Sequence, residues 1–265
     1  MNVSLAATSY DPARERAWHL SIHMAPGYHA WCVHDVTHGG CVALYADKGE
    51  DIPHASHLPV RPVSVSFVAL PEISTLVPES ALTPGSEMLH LKRVHGQLPT
   101  GLLRDEPLPS LSARCIYLHD EKAEHRLLSR FPSARSLPLS SVMVHDALAA
   151  STGRTVLLMD RSANRLDLVM TRDQQLLLCN TFHATNGEDI LYYILLVMEE
   201  CGMKPEGVHL LTAGSHLQDA EEQLLARYLP NVSPAIDAQA PLLRFTGLES
   251  PHHFTDLLHQ YACAL

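Results

Sequence analysis

The chain contains 265 residues, of which 46% are hydrophobic and 18% are charged, so it can bury a core large enough for one or two domains. Its 29 acidic and 19 basic residues give a formal net charge of -10, which argues against nucleic acid and anionic membranes as partners. The longest apolar run, Ile190 to Met198, is shorter than the roughly 20 residues that cross a bilayer. The first residues lack the pattern of a secretory signal, so we expect a cytoplasmic protein.

Three strand-like segments open the chain. They are His19 to Met24, Tyr28 to His34 and Cys41 to Tyr45, and turn-forming residues separate them. The first segment alternates apolar and polar residues, which predicts a half-buried strand. We therefore expect a three-strand antiparallel meander.

The segment from Ala46 to Ser110 is interrupted repeatedly by proline and is predicted to be an irregular elaboration. Short strands are expected at Val63 to Leu70 and at Met88 to Val94, with one helical turn after Val77-Pro78. Regular patterns then resume in residues 113–150. They predict a strand, a helix that opens at Asp120, a short strand and a second helix.

A second three-strand meander is predicted between Arg154 and Phe182, followed by an apolar helix. Thr185 or Asn186 can cap this helix, and Gly202 is placed to end it. Because Ile190 to Met198 is apolar on all sides, we expect the helix to be covered on more than one side.

The remaining chain predicts a strand at Gly207 to Ala213, a helix at Gln218 to Tyr228, a short strand at Leu242 to Phe245 and a last helix at Pro251 to Cys263. Both halves thus read as a meander followed eventually by strand, helix, strand and helix. This self-similarity predicts an α/β protein with two copies of one unit, at residues 1–150 and 151–265.

Two such copies resemble the actin-like ATPase superfamily, in which two ribonuclease H-like halves face each other across a nucleotide cleft. The segments from Asn180 to Leu217 and from Ser74 to Leu82 are also similar to those of a family of uncharacterised bacterial proteins with an actin-like ATPase fold. This resemblance covers nearly the whole chain. It implies the fold, but it implies no assigned activity.

Active members of that superfamily hold magnesium and phosphates with an Asp at the end of the first strand and a glycine-bearing turn in each half. In the first half His23 stands at the position of the Asp, and Pro26 offers no backbone N–H. The second half retains Asp160, followed by Ser162 and Asn164, but its turn contains no glycine. An Asp at a strand end also commonly caps a turn.

The adenosine-binding segment of the superfamily ends in paired glycines, of which Gly214 alone remains here, followed by Ser215. These two residues also suit a tight turn in which Ser215 caps the next helix. If a nucleotide binds, Asp160, Ser162, Asn164, Gly214 and Ser215 are the predicted contacts.

The 18 histidines and six cysteines show no spacing that is typical of a metal site, so no metal is predicted. The cysteines are expected to be buried thiols. Histidines such as His34, His38, His252 and His253 are expected to be solvated at the surface.

The leading hypothesis is a non-catalytic pseudoenzyme that works as a scaffold or regulatory partner and needs no cofactor. The alternative is an ATP-binding ATPase or kinase-like enzyme in which Asp160 orients magnesium, and a weaker alternative is a sensor of small molecules or peptides. A scaffold requires a protein partner, for which the elaboration at residues 46–110 and the C-terminal helix are the predicted surfaces. A homodimer is possible.

Overall fold

The computed structural model describes residues 3–47, 57–236 and 242–264. The chain forms two compact units. Unit 1 contains Met1–Ser141, Gln239–Glu249 and Leu257–Leu265, and unit 2 contains Val142–Ala238 and Ser250–Asp256. The last part of the chain contributes to both units, and the division into two copies at residues 1–150 and 151–265 stays a prediction. The descent of each unit from a ribonuclease H-like half remains a prediction.

Unit 1 contains nine strands and two complete helices among the residues described. In chain order they are β1 (Val3–Ala6), β2 (Trp18–Ala25), β3 (Tyr28–Asp35), β4 (Cys41–Asp47), β5 (Ser64–Ala69), β6 (Ile73–Pro78), α1 (Glu87–His95), β7 (Leu102–Leu108), β8 (Ala113–His119), α2 (Glu121–Arg130) and β9 (Arg135–Ser136). Six of the strands form one sheet in the order β1-β4-β3-β2-β5-β9, and β6-β8-β7 form a second sheet. The predicted first meander is confirmed as β2, β3 and β4, which pair antiparallel.

Unit 2 is built on one five-stranded sheet. Its elements are α3 (Leu139–Ala150), β10 (Thr155–Ser162), β11 (Arg165–Arg172), β12 (Gln175–His183), α4 (Gly187–Glu200), β13 (Val208–Ala213), α5 (Asp219–Tyr228) and β14 (Val232–Pro234). The first three residues of α3 belong to unit 1, and the rest of the helix belongs to unit 2. The strand order is β12-β11-β10-β13-β14, and the predicted second meander is confirmed as β10, β11 and β12.

The helix α4 covers one face of this sheet. Asn186 caps it by accepting a hydrogen bond from the Asp189 N–H at 2.8 Å, as predicted. Its buried residues include Ile190 and Ile194, whereas the Tyr192 side chain is 60% exposed. The side of α4 that carries Tyr192 is therefore exposed, and the expectation that the helix is covered on more than one side is wrong there.

The last helix, α6 (Thr255–Ala264), contributes residues 257–264 to unit 1. Gln260 is fully buried there, where it accepts a hydrogen bond from the Ser66 hydroxyl at 3.1 Å and donates one to the Ile22 carbonyl oxygen at 3.2 Å. The polar face of β2 is therefore covered as well as its apolar face. The predicted half-buried strand is in fact buried on both faces, and His19 on its polar side is fully buried.

Two local predictions fail. Residues 88–94 lie in the helix α1 instead of a strand. Leu243 forms only an isolated bridge to Cys41, so the described part of 242–245 is not a strand of the sheet. In addition, the strands β1, β6, β7 and β14 were not predicted. Among the described residues, no helix has the length and apolarity needed to span a membrane.

Candidate functional site in unit 2

The β10–β11 hairpin carries three of the predicted nucleotide contacts. Asp160 lies opposite Asp167 and Ser162 lies opposite Arg165, so the turn consists of Ala163 and Asn164. Asp160 and Ser162 are each 5% exposed, while Asn164 is exposed to solvent. Of these three side chains, Asn164 is thus the one that a ligand could reach without rearrangement of the hairpin.

Asp167, which sequence reasoning did not select, is the best-defined carboxylate of this hairpin. Arg165 donates two hydrogen bonds to its oxygens at 2.6 and 2.7 Å, and the Thr181 hydroxyl donates a third at 2.5 Å. The Arg165-x-Asp167 spacing was an available signal, because residues two apart lie on the same face of a strand. This carboxylate is therefore occupied by side chains of the same sheet.

Gly214 directly follows β13 and packs against the backbone of Arg161 in β10. A Cβ atom here would lie within 3.0 Å of the N, C and O atoms of Arg161, and the φ angle of Gly214 is +119°. The His216 N–H also donates to the Arg161 carbonyl oxygen at 3.0 Å. The glycine is therefore required by close approach of the chain to itself.

Ser215 does not cap the helix that follows, which corrects the expected alternative role for this residue. The cap of α5 is Gln218, whose N–H donates to the Glu221 carboxylate at 3.1 Å. The Ser215 hydroxyl instead lies 3.0 Å from the Nδ1 atom of His216. Ser215 therefore belongs to a short connection between β13 and α5.

The segment 250–254 lies at the C-terminal end of β13. The Gly214 N–H donates to the His252 carbonyl oxygen at 3.1 Å, and the His252 Nε2 atom lies 3.3 Å from a Glu222 oxygen. The same Glu222 oxygen accepts a hydrogen bond from the Thr212 hydroxyl at 2.9 Å. The backbone amide that a nucleotide would approach at this turn is thus already hydrogen-bonded within unit 2.

His252 and His253 are each 8% exposed, so the expectation of solvated histidines is wrong for this pair. Burial lowers the pKa of both imidazoles, while the nearby Glu222 carboxylate partly opposes this effect. Burial therefore favours the neutral form of both imidazoles.

The corresponding turn in unit 1 joins β2 to β3 through Pro26 and Gly27. His23, at the position of the superfamily Asp, is 4% exposed and packs edge-on against Tyr28 with 5.7 Å between the ring centroids. Gly27 has a φ angle of +70°, as a tight turn after proline requires. This turn presents a proline and an aromatic pair instead of a carboxylate and successive N–H groups.

A cavity of about 360 Å³ lies beside that turn, entirely within unit 1. Ala25 and Pro26 line it on one side, and Lys122 and Arg126 of α2 line it on another. The Asp120 carboxylate at its edge caps α2 by accepting a hydrogen bond from the Lys122 N–H at 2.9 Å. The cavity is therefore lined by cationic side chains, and Pro26 contributes no backbone N–H donor to it.

Sequence reasoning also missed a buried cluster of Cys32, His34 and Cys41 in unit 1, where no metal was predicted. Their ligand atoms lie within 4.8 Å of one another. His34 is 2% exposed, which corrects its expected solvation, whereas His38 is mostly exposed and pairs with Asp35 at 3.1 Å. The available signal was Cys-x-His on one strand and a third ligand at the start of the next.

Comparison with solved structures identifies the fold. A Bacteroides thetaiotaomicron protein with an actin-like ATPase fold and unknown function matches with a TM-score of 0.72 and 17% identity, over 82% of this chain and 90% of that one. The PilM-PilN type IV pilus biogenesis complex matches with a TM-score of 0.51 and 14% identity, over 93% and 98% of the two chains. The ethanolamine utilization protein EutJ from Carboxydothermus hydrogenoformans matches with a TM-score of 0.51 and 8% identity, over 94% and 90%.

At these identities the matches show the fold alone, so the predicted actin-like ATPase fold is confirmed. A comparison with curated proteins found no match. The sequence profile described as "Protein of unknown function (DUF3822)" matches residues 65–232, which is more than half of the chain. The chain therefore belongs to the DUF3822 family.

Proposed function

We propose that this protein is a non-catalytic binding protein, a scaffold or regulatory partner that has kept an actin-like ATPase fold without its phosphate chemistry. The observation that carries the proposal is the contact between Gly214 and Arg161. In the superfamily the glycines at this place allow a nucleotide to approach. Here the Arg161 backbone lies next to Gly214 in place of a nucleotide. The Gly214 N–H donates a hydrogen bond to the His252 carbonyl oxygen.

The other turns support the same proposal. Asp160 is retained, but it is buried at the end of β10, and the following Arg161 side chain is also buried, 3.5 Å from Glu221. In unit 1, Pro26 removes an N–H donor from the turn next to His23. A hydrated magnesium ion needs accessible carboxylate oxygens, and phosphates need free backbone amides. Neither turn supplies both.

Binding of another protein is compatible with this fold, since a structural relative was solved as the PilM-PilN complex. On the present chain, α1 in the predicted elaboration exposes Leu89 and Val94 at 48% and 61%. The C-terminal helix is a less suitable surface than predicted, because Leu257 and Leu258 are buried in unit 1. We therefore assign the partner surface to the α1 side of the elaboration.

Isothermal titration calorimetry with ATP and magnesium tests the loss of nucleotide binding. The expected result is no heat of binding and no ATP-dependent rise in melting temperature. The matched variants are Asp160→Ala and, as a control, Glu206→Ala, which removes an exposed acidic side chain of unit 2. Binding that is retained in Glu206→Ala and disappears in Asp160→Ala would reject the proposal in favour of the ATP-dependent enzyme.

The partner surface is tested with a Leu89→Asp/Val94→Asp variant, because both side chains are exposed and their replacement should leave the melting temperature nearly unchanged. Affinity purification from the source cells should recover fewer partners with this variant than with the native protein. The control is Tyr192→Asp, which changes an exposed apolar residue in unit 2. Equal recovery by all three proteins would show that the surface is wrongly placed.

A further inference from the structure

A β-bulge in unit 1 places three metal-binding side chains on one face of the main sheet. Cys32 and His34 are two residues apart on β3, so their side chains share a face. The register between β3 and β4 shifts after Val33, and His34 then lies opposite Cys41 instead of Val42. Val42 and Ala43 both join the apolar core on the other side. The bulge thus directs Cys41 toward Cys32 and His34.

The hydrogen bonds of His34 fix which nitrogen is available. Its Nε2 atom lies 3.0 Å from the Leu258 carbonyl oxygen, which can only accept, so Nε2 carries the proton. The unprotonated Nδ1 atom then lies 3.7 Å from the Cys32 sulfur. Metal-bound histidines characteristically donate their second nitrogen to a carbonyl or carboxylate in this way.

We propose that Cys32, His34 and Cys41 bind a thiophilic divalent metal ion of the Zn²⁺ class. In tetrahedral zinc sites the Zn–S and Zn–N distances are about 2.3 and 2.0–2.1 Å, which sets ligand atoms roughly 3.5–3.8 Å apart. The Cys32 sulfur and the His34 Nδ1 atom, 3.7 Å apart, already have this spacing, and the ligand atoms of all three residues lie within 4.8 Å of one another. The fourth position is left to water or to the Leu257 carbonyl oxygen, 3.2 Å from the Cys32 sulfur.

Binding proceeds with loss of one proton from each thiol to solvent, so that two thiolates and a neutral imidazole surround the dication. The three ligands are almost inaccessible to solvent in the fold, with exposures of 0 to 2%. The low dielectric of this region strengthens the thiolate–metal attraction. We therefore expect a single tight site in unit 1, separate from the hairpin and glycine turn discussed for unit 2.

Cobalt is the probe for the first test, because thiolate–Co²⁺ bonds give charge-transfer absorption in the near ultraviolet. Full-length protein, reduced with a phosphine, is titrated with Co²⁺, and the band should saturate at one equivalent and disappear when Zn²⁺ is added. Cys32→Ser and Cys41→Ser should lose the band, and His34→Gln should weaken binding at least tenfold. Cys115→Ser is the matched control, since Cys115 is a fully buried thiol of unit 1 outside the cluster.

X-ray absorption spectroscopy of the native protein loaded with one equivalent of Zn²⁺ is the second test, and it does not depend on whether the variants fold. Two sulfur ligands at about 2.3 Å with nitrogen or oxygen at about 2.0–2.1 Å support the proposal. A shell of nitrogen and oxygen alone would overturn it, because the ion would then be bound by some of the other 17 histidines or by carboxylates. A cobalt band that survives in Cys41→Ser would overturn it as well.

Discussion

Replacement of Gly214 by alanine tests whether this glycine is needed for the close contact with the Arg161 backbone or for the approach of a nucleotide. The added Cβ atom would lie within 3.0 Å of three backbone atoms of Arg161, and φ at this position is +119°. A residue forced into such a backbone region costs about 1–3 kcal/mol, and overpacking of a tight contact costs about 1–3 kcal/mol more. We expect Gly214→Ala to lower the free energy of unfolding by about 2–6 kcal/mol in the absence of any ligand.

Urea denaturation followed by circular dichroism measures this loss. Gly207→Ala is the control, because nothing lies within 4 Å of its added Cβ atom and its φ angle is not positive. The control should change the free energy of unfolding by less than about 1 kcal/mol.

A glycine that serves a nucleotide gives a different result. Gly214→Ala would then leave the ligand-free protein nearly as stable as the native one and would abolish ATP binding. A loss of less than about 0.5 kcal/mol in the ligand-free protein would therefore refute the assignment of Gly214 to a contact with Arg161.

Leu225 is 1% exposed in the core of unit 2, so Leu225→Ala should lower the free energy of unfolding by about 2–5 kcal/mol. Tyr228, in the same helix, is 58% exposed, so Tyr228→Ala should lower it much less in the same urea titration. Asn186→Ala removes the cap of α4 and should lower the free energy of unfolding by about 0.5–2 kcal/mol. Because burial lowers the pKa of His252 and His253 below the unfolded value of about 6.5, their contribution to stability is present above that pH and is lost as the pH falls. A His252→Gln/His253→Gln variant should therefore lose less stability than the native protein between pH 7.5 and 5.5, and an equal loss would contradict the assignment.

The elements with strong local patterns were predictable from the sequence. The second meander follows from strand-like runs separated by polar turns, and α4 follows from its apolar run with a capping residue before it; Asn186 caps the helix as expected. The segment at residues 88–94 was ambiguous, since Leu89-His90-Leu91 alternates like a strand. Its helix signals were Glu87 in the first turn and Gly96 at the end, where φ is +72°. A short alternating pattern is therefore weaker evidence for a strand than a matched start and stop signal is for a helix.

The candidate sites depend on contacts that are distant in sequence. Gly214 was selected because its place matches the glycines of the superfamily's adenosine-binding segment, but its partner Arg161 and the carbonyl of His252 come from other segments of unit 2. Likewise, the relation of Cys41 to His34 depends on one extra residue in β4, which hydrophobic periodicity does not reveal. Residue type therefore indicated candidates, whereas register and packing decided what each one contacts.

The apolar core of unit 2 explains how such a fold can persist when its turns change. Leu157, Met159 and Leu168 are buried in the bodies of β10 and β11, next to Ile190 and Ile194 of α4. The turn at Ala163-Asn164 lies beyond this core, where both residues are exposed. Since stability comes mainly from the buried apolar area, replacement of phosphate-binding residues at such turns costs little folding free energy. Likeness in fold is therefore expected to outlast the chemistry, and an activity must be argued from the turns themselves.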